Sequence, residues 1–180
     1  MSTLYPQPDV RVSGRIAHLD ALRFGRERDP RVGFAESVAH LMTKPAFARA
    51  PFGHVARILA GQVGRGHYAF VRRGTRVVGF VGWARAEEAS AEAWLAGTRG
   101  ISDAEARVGD CALINCWQAD DPEVSRFILA RLGPALAGCR AVYAKRHYPD
   151  GRVRPLRLPV SRRTGAALIR QSTLMEAPTM

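Results

Sequence analysis

The strongest constraint on the fold is a pair of adjacent apolar segments, residues 67–73 and 76–85, separated only by Gly74 and Thr75. A two-residue link that contains glycine, placed between two such segments, predicts a tight β-hairpin. The second segment, RVVGFVGWAR, is apolar on both of its faces. Because such a strand must be covered on both sides, we expect it at the centre of a sheet with helices packed on each face.

Helical periodicity precedes this hairpin. Residues 33–48 and 52–64 carry apolar side chains at helical spacing, and Pro45 is expected to end or kink the first of these helices. Residues 15–24 are predicted to form a further short helix with Leu22 on its inner face.

The segments after the hairpin alternate between the two periods. We predict a helix over 86–97, a strand over 111–118 and a long helix over 120–138, in which Asp121 and Pro122 supply the start signals.

The chain then returns to strands. Residues 140–148 and 152–160 are predicted to pair as a second hairpin, turning at Pro149-Asp150-Gly151. The whole order predicts an α/β (α+β) fold around one central mixed sheet that is mostly antiparallel.

A chain of 180 residues accommodates one domain of ordinary size. We predict an N-terminal arm with a short helix over 1–32, the folded domain over 33–160 and a basic C-terminal tail over 161–180. No apolar run approaches the roughly 20 residues that span a membrane, and residues 1–15 lack the apolar core of a signal peptide. With only three cysteines, these features predict a cytoplasmic protein, either free or peripheral to a complex at the membrane.

Positive charge is concentrated near the C-terminus. The formal net charge is +11, and residues 145–170 hold eight basic residues against Asp150 alone. Such a lobe is typical either of a solvated, protected sheet edge or of a surface that binds acidic partners. The residues expected to dock an acidic protein surface are Arg146, Arg152, Arg154, Arg157, Arg162 and Arg163.

Two of the cysteines, Cys111 and Cys116, fall in one predicted strand. Strand positions five apart point to opposite faces, and no other Cys or His pair has metal-ligand spacing, so no metal site is predicted. As a nucleophile Cys116 would need a neighbouring base, which His40, His54 or His67 could supply only through the fold. A small buried hydrophobic residue is the simpler interpretation of either cysteine.

One long stretch resembles a known family. The segment GRGHYAFVRRGTRVVGFVGWARAEEASAEAWL followed by GDCALINCWQ is similar to the RTX toxin-activating lysine-acyltransferases, the hemolysin-activating type. The resemblance covers about residues 38–160 and extends to TKPAFA, with Pro45, and to CRAVYAKRHYPDGRVRP. The positions that match in order and spacing are His67-Tyr68, Gly82-Trp83-Ala84, Glu87-Glu88, Gly109-Asp110 and Cys116-Trp117.

The resemblance implies a single GNAT-like domain and transfer of a fatty acyl group from acyl carrier protein to a lysine of a protoxin. It also implies a catalytic histidine and a catalytic aspartate, and their positions hold Phe47 and Cys116 here. Phenylalanine carries no proton, and a cysteine in a buried apolar strand has a raised pKa. Because general-base help is typically worth about 10²–10⁴-fold, losing both groups should disable that mechanism.

Three functions therefore stay open. The first is a non-catalytic member of the family that serves as a binding or accessory subunit of a protein assembly. The second is an active acyltransferase with altered catalytic groups, for which acyl carrier protein is the donor; no bound cofactor is expected in either case. The third is a basic nucleic-acid-binding protein, which the missing helix-turn-helix signal and the lack of interleaved aromatics disfavour.

Overall fold

The computed structural model describes residues 21–148 and 150–160. Within them, the chain forms six strands and five α-helices. The order is β1 (Leu22–Gly25), α1 (Pro30–Leu41), α2 (Pro45–Ala48), α3 (Phe52–Arg65), β2 (Tyr68–Arg73), β3 (Arg76–Ala86), α4 (Glu88–Ala96), a 3₁₀ turn (Glu105–Arg107), β4 (Cys111–Ala119), α5 (Pro122–Ala135), β5 (Ala141–His147) and β6 (Val153–Pro159).

The six strands form one sheet in the order β1-β2-β3-β4-β5-β6. All neighbouring pairs are antiparallel except β4 and β5, which are parallel and are joined by α5. Parallel neighbours need a crossover connection, and the strand–helix–strand order at residues 111–147 supplies it. The predicted α+β class, with a central mixed, mostly antiparallel sheet and flanking helices, is confirmed.

β3 lies at the centre of this sheet, as its apolar pattern predicts. It pairs with β2 on one side and with β4 on the other, and the link to β2 is the predicted hairpin at Gly74 and Thr75. Phe80 and Val81, which point to opposite faces, are both fully buried.

Helices cover the two faces of the sheet separately. On one face, α5 packs Val124, Ile128 and Leu132 against strand residues that include Val81 and Trp83. We call this the α5 face. Burying a side chain such as Ile128 contributes roughly 1.5–3 kcal/mol to stability.

The opposite face is covered in two parts. Helices α1 and α3 pack over Phe70, Phe80 and Cys116, and α4 packs over Ala84 and its neighbours. Phe80 and Ala84 are an even number of residues apart in β3, so both clusters lie on the same face. We call this the α1/α3 face.

Local signals explain where the helices begin and end. Asp29 caps α1 through its side chain, with Pro30 in the first helical position, so the charged segment 26–31 holds a start signal in addition to a break. Asp121 caps α5 in the same way. Gly66, at φ 68°, ends α3 in the left-handed conformation that favours glycine.

The helix predicted over residues 15–24 is wrong where it falls on described residues. Leu22–Gly25 instead forms the edge strand β1, which pairs with β2. Leu22 and Phe24 are half-buried and alternate with exposed Arg23 and Gly25, so the period is two. Residues 1–20 and 161–180 lie outside the described part of the chain.

Across the described ranges, no helix combines the length and the hydropathy required to cross a membrane.

Candidate functional site

The two positions that the family resemblance marks as catalytic come together on the α1/α3 face. The one-turn helix α2, which begins at Pro45, directs Phe47 onto the apolar cluster of α1 and α3. Cys116, on β4, belongs to the same cluster and is 5% exposed. Phe47 and Cys116, which are distant in the sequence, thus belong to one cluster, and both side chains are apolar.

Cys116 has no means of ionising in this environment. Burial alone raises the pKa of its thiol to about 12. The thiolate is the reactive form of cysteine, so a buried thiol at neutral pH acts as a small hydrophobic residue. The expected effect of the apolar strand end on this pKa is confirmed.

A bulge in β4 changes the relation between Cys111 and Cys116. Gly82 pairs with Cys116 and Trp83 pairs with Ile114, so Asn115 is an extra residue in β4. Because of this extra residue, the side chains of Cys111 and Cys116 point to the same side of the sheet, the α1/α3 face. The prediction that they point to opposite faces is therefore wrong.

The cysteines still do not form a metal pair. Their partners on β3, Gly82 and Ala86, are four residues apart, which corresponds to roughly 13 Å along a strand. Within residues 21–148 and 150–160, no group of three or more His, Cys, Asp or Glu side chains is placed to hold a metal ion.

A buried amide pair lies beside Cys116. Gln62, on α3, is fully buried and donates a hydrogen bond from Nε2 to Oδ1 of Asn115, the bulged residue. Its carboxamide occupies the space above Gly82, where a Cβ atom would overlap it. The Oε1 atom of Gln62 has no partner among the described residues. The sequence gives no signal for this pair, because its two members are brought together by the packing of α3 on β4.

Farther along β4, a polar network contains a histidine. His40, on α1, donates from Nε2 to Oε1 of Gln118, and Gln118 donates from Nε2 to Oδ1 of Asp120 at 2.9 Å. Lys44 binds the same carboxylate at 2.6 Å, and Arg76 lies at 3.2 Å from its other oxygen. The Asp120 side chain is only 16% exposed.

This network places a neutral imidazole close to the Cys116 position. Burial lowers the pKa of His40 below its ordinary value, and this effect outweighs the hydrogen bond with Gln118, which raises it. Since Nε2 carries the proton that Gln118 accepts, Nδ1 of His40 is left as an acceptor. Gln118 is two residues beyond Cys116 on the same strand, so the network borders the Phe47 and Cys116 cluster.

The ladder between β4 and β5 ends early. Its last pair is Ile114 with Ala144, although β4 continues to Ala119 and β5 to His147. The two parallel strands thus part beyond the Asn115 bulge. In open sheets, crevices at the carboxyl ends of parallel strands are frequent ligand sites.

The helix that follows β4 has an acidic N-terminus. Asp121 accepts the hydrogen bond of the Val124 amide, and Glu123 lies in the first turn. A helix N-terminus attracts phosphate when its amides are free and no negative charge competes. Here the carboxylates occupy that role, and Arg73 pairs with both of them.

Two members of the predicted docking set have partners within the domain. Arg157 forms ion pairs with Glu88 at 2.5 Å and with Glu92 at 3.3 Å, both on α4. Arg152 pairs with Asp150 of its own turn at 2.6 Å. Arg157 therefore holds β6 to α4, and its charge is compensated inside the protein.

Arg152 also clusters on the hairpin with Arg146 and Arg154. The guanidinium groups of Arg146 and Arg152 lie 5.0 and 5.1 Å from the ring centre of Tyr148. Arg154 stands opposite Arg146 in the β5–β6 ladder and has no ion pair with a described residue. Arg146, Tyr148, Arg152 and Arg154 form what we call the basic hairpin. Arg162 and Arg163 lie outside the described residues.

Comparison with known proteins gives a weak structural likeness. No protein-family model matches the chain, and no curated protein matches it. Among solved structures, the chain is similar to the loading GNATL domain of CurA from Lyngbya majuscula, at 14% identity and a TM-score of 0.38, over 72% of this chain and 67% of that chain. A likeness at this level assigns neither activity nor ligand.

Proposed function

We propose that this chain is a non-catalytic relative of the toxin-activating lysine-acyltransferases and serves as a binding or accessory subunit of a protein assembly. The observation that carries the proposal is the pair Phe47 and Cys116. Both belong to one apolar cluster, at the two positions where the family resemblance calls for a histidine and an aspartate.

Acyl transfer to a lysine needs a group that accepts a proton from the attacking amine. Phe47 has no such group, and Cys116 is buried with a thiol pKa of about 12. Neither residue carries a charge at neutral pH that could pair with a protonated amine or imidazole. The family mechanism therefore has no proton acceptor at the positions that should provide it.

The partner expected for such a subunit is an acidic protein surface. The basic hairpin presents Arg154, which has no ion pair with a described residue, next to Arg146 and Arg152 on the Tyr148 ring. Arginine forks suit carboxylate groups, and opposite charge speeds encounter. An acyl carrier protein is one partner of this kind, and an acidic subunit of a larger complex is another.

A second function, active acyl transfer through a different base, rests on His40. Its Nδ1 atom is left as an acceptor by the hydrogen bond to Gln118, and its lowered pKa keeps the imidazole neutral at pH 7. In this reaction Nδ1 takes the proton of the lysine amine as nitrogen bonds to the thioester carbonyl. The carbon–sulfur bond breaks, and the thiolate of the carrier leaves as a thiol by taking up the proton that Nδ1 of His40 received.

One assay separates the two functions. The full chain is incubated with acyl-loaded carrier protein and with the protein that co-purifies with it, and intact masses are read. We expect no acyl mass on the partner. A gain of one acyl mass would overturn the non-catalytic proposal, and its loss in His40→Gln but not in His54→Gln would assign the base to His40. His54 is an exposed histidine on α3 and serves as the matched control.

A restored variant tests the reason for inactivity. We expect Phe47→His combined with Cys116→Asp to acylate the partner where the wild type does not. Absence of activity in both proteins, with both folded, would break the link between this cluster and acyl-transfer chemistry.

Steeply salt-dependent binding of the wild type to duplex DNA near physiological salt would instead favour the nucleic-acid function.

A further inference from the structure

A cavity of about 410 Å³ opens on the opposite side of the sheet from Cys116. It lies where β1 and α3 end and where β2 begins, against the last turn of α5. Phe24 and Trp83 supply apolar walls, and Arg26, Arg65 and His67 supply polar ones. Since Trp83 belongs to the α5 face, the cavity opens away from Phe47 and Cys116, although Tyr68 both lines it and belongs to their cluster.

Two buried nitrogen atoms at this cavity are unmatched. Nδ1 of His67 and Nε of Arg65 are inaccessible to solvent and have no hydrogen-bond partner among the described residues. The Arg65 side chain is 7% exposed, and its terminal nitrogen Nη1 pairs with Asp103. Buried polar groups are nearly always hydrogen-bonded, so these two atoms mark a polar environment beside the cavity that the described residues leave unsatisfied.

Positive charge surrounds His67 from several elements. Burial lowers the pKa of its imidazole most, and Arg65, Arg85, Arg107 and Arg26 lower it further. The imidazole is therefore neutral, and the arginines set the local potential.

Little negative charge offsets these four guanidinium groups. Asp103 pairs with both Arg65 and Arg107. Arg26 donates to the Gly66 carbonyl at 2.9 Å, and Arg85 donates to the Ala137 carbonyl at 2.8 Å. Neither of these two arginines meets a carboxylate among the described residues. The bond from Arg26 also satisfies the carbonyl of Gly66 and sets a positive charge beside the C-terminus of α3.

The aromatic walls of the cavity indicate what kind of molecule fits beside the arginines. The rings of His67 and Trp83 are stacked, with centroids 6.0 Å apart and planes inclined by 14°. Phe24 and Trp83 line the cavity beside the arginines and supply its apolar surface. A cavity of this size with few polar groups is within the range of small-molecule sites.

We propose that this cavity binds a small organic anion, with a carboxylate or phosphate group held by Arg26 and Arg65 and an apolar or aromatic body lying against Trp83. A guanidinium group can form two parallel hydrogen bonds with either a carboxylate or a phosphate. Which of the two the protein prefers is decided by the experiment.

The experiment uses the full chain and four probes: phenyl phosphate, benzoate, inorganic phosphate and benzyl alcohol. Binding is measured by calorimetry and by the NMR signals of the His67 ring and the Trp83 indole N–H. We expect saturable one-to-one binding of phenyl phosphate or benzoate, with shifts at both residues, and none of benzyl alcohol. A preference for phenyl phosphate identifies a phosphate ester as the ligand class, and a preference for benzoate identifies a carboxylate.

Two matched variants locate the site. Arg26→Gln is expected to weaken binding by about tenfold or more, because it removes a charge-assisted hydrogen bond. Arg28→Gln, an exposed arginine two residues away that does not line the cavity, should retain wild-type affinity. Equal affinity in both variants would overturn the proposal. So would the absence of any shift at His67 and Trp83 in the wild type up to roughly 10 mM probe, since this is the range of very weak binding.

Discussion

Gly82 lies directly opposite Cys116 in the β3–β4 ladder, and the carboxamide of Gln62 fills the space that a side chain at Gly82 would need. The smallest residue in the centre of the sheet thus allows α3 to approach it. This contact fixes the position of α3, and through it that of the apolar cluster around Cys116.

Gly82→Ala is therefore expected to destabilise the protein by about 1–3 kcal/mol, because the added Cβ displaces the buried Gln62 carboxamide, which is hydrogen-bonded to Asn115. Urea unfolding monitored by circular dichroism measures the change. Gly133→Ala is the control, since no atom lies within 4 Å of the added Cβ in α5 and alanine favours a helix by up to about 1 kcal/mol. Equal stability of Gly82→Ala and the wild type would contradict this packing.

The three cysteines should be inert in the native protein. Burial raises the thiol pKa of Cys116 to about 12 and contributes most to raising that of Cys111 to about 11; Cys139 is raised in the same direction. At about pH 8, a thiol of pKa near 12 is ionised in about one molecule in ten thousand. We expect no labelling by a disulfide reagent in native buffer and three labels in denaturant, counted by mass. Rapid native labelling of Cys116 would contradict its burial.

The carboxyl group of Glu105 should make the stability of the folded protein depend on pH in the acidic range. Its hydrogen bond with Arg99, followed by those from Ser102 and Ser90, holds the pKa of this carboxyl far below 4.5, its ordinary value. A lowered folded pKa means that the stabilisation is present above the unfolded pKa and is lost as pH falls below about 4.5.

Glu105→Gln should therefore lower the thermal unfolding midpoint at pH 7, and the difference from wild type should shrink as pH falls through this range. Scanning calorimetry at a series of pH values measures both. Glu123→Gln, at an exposed carboxylate paired with Arg73, should change the midpoint little. A difference that stays constant with pH would show that Glu105 acts through its shape and not through its charge.

Substitutions at Arg154 and Arg157 should have different effects, one on partner binding and the other on stability. Arg157→Glu places like charges beside Glu88 and Glu92 and should lower the unfolding midpoint. Arg154→Glu removes no ion pair with a described residue and should leave that midpoint unchanged. It should, however, weaken binding to an acidic partner and make that binding less dependent on salt. Thermal scans and binding isotherms at two salt concentrations test both statements. The proposed docking role fails if the two variants bind an acidic carrier equally well.

Much of the fold is local and could be predicted from the sequence. The β2–β3 hairpin follows from Gly74 and Thr75 between two β-type segments, and the start of α5 follows from Asp121 and Pro122. These signals act within a few residues, so they hold before the chain is folded. The central place of β3 follows from its two apolar faces. The short strand β1 was missed because four residues carry too little periodicity to outweigh a helical pattern.

The candidate site was decided by tertiary structure. Alternation along β4 predicts opposite faces for Cys111 and Cys116, yet the bulge at Asn115 exists only because β4 pairs with β3 in that register. Likewise His40 meets Gln118 across 78 residues of sequence, and His67 meets Trp83 through the packing of neighbouring strands. The sequence by itself determined most of the elements and their order, and it holds Phe47 and Cys116 at the positions where the family resemblance implies a histidine and an aspartate. Which side chains share a face, a hydrogen bond or a cavity depends on contacts between distant segments, and these form only when the sheet closes its register and buries its apolar faces.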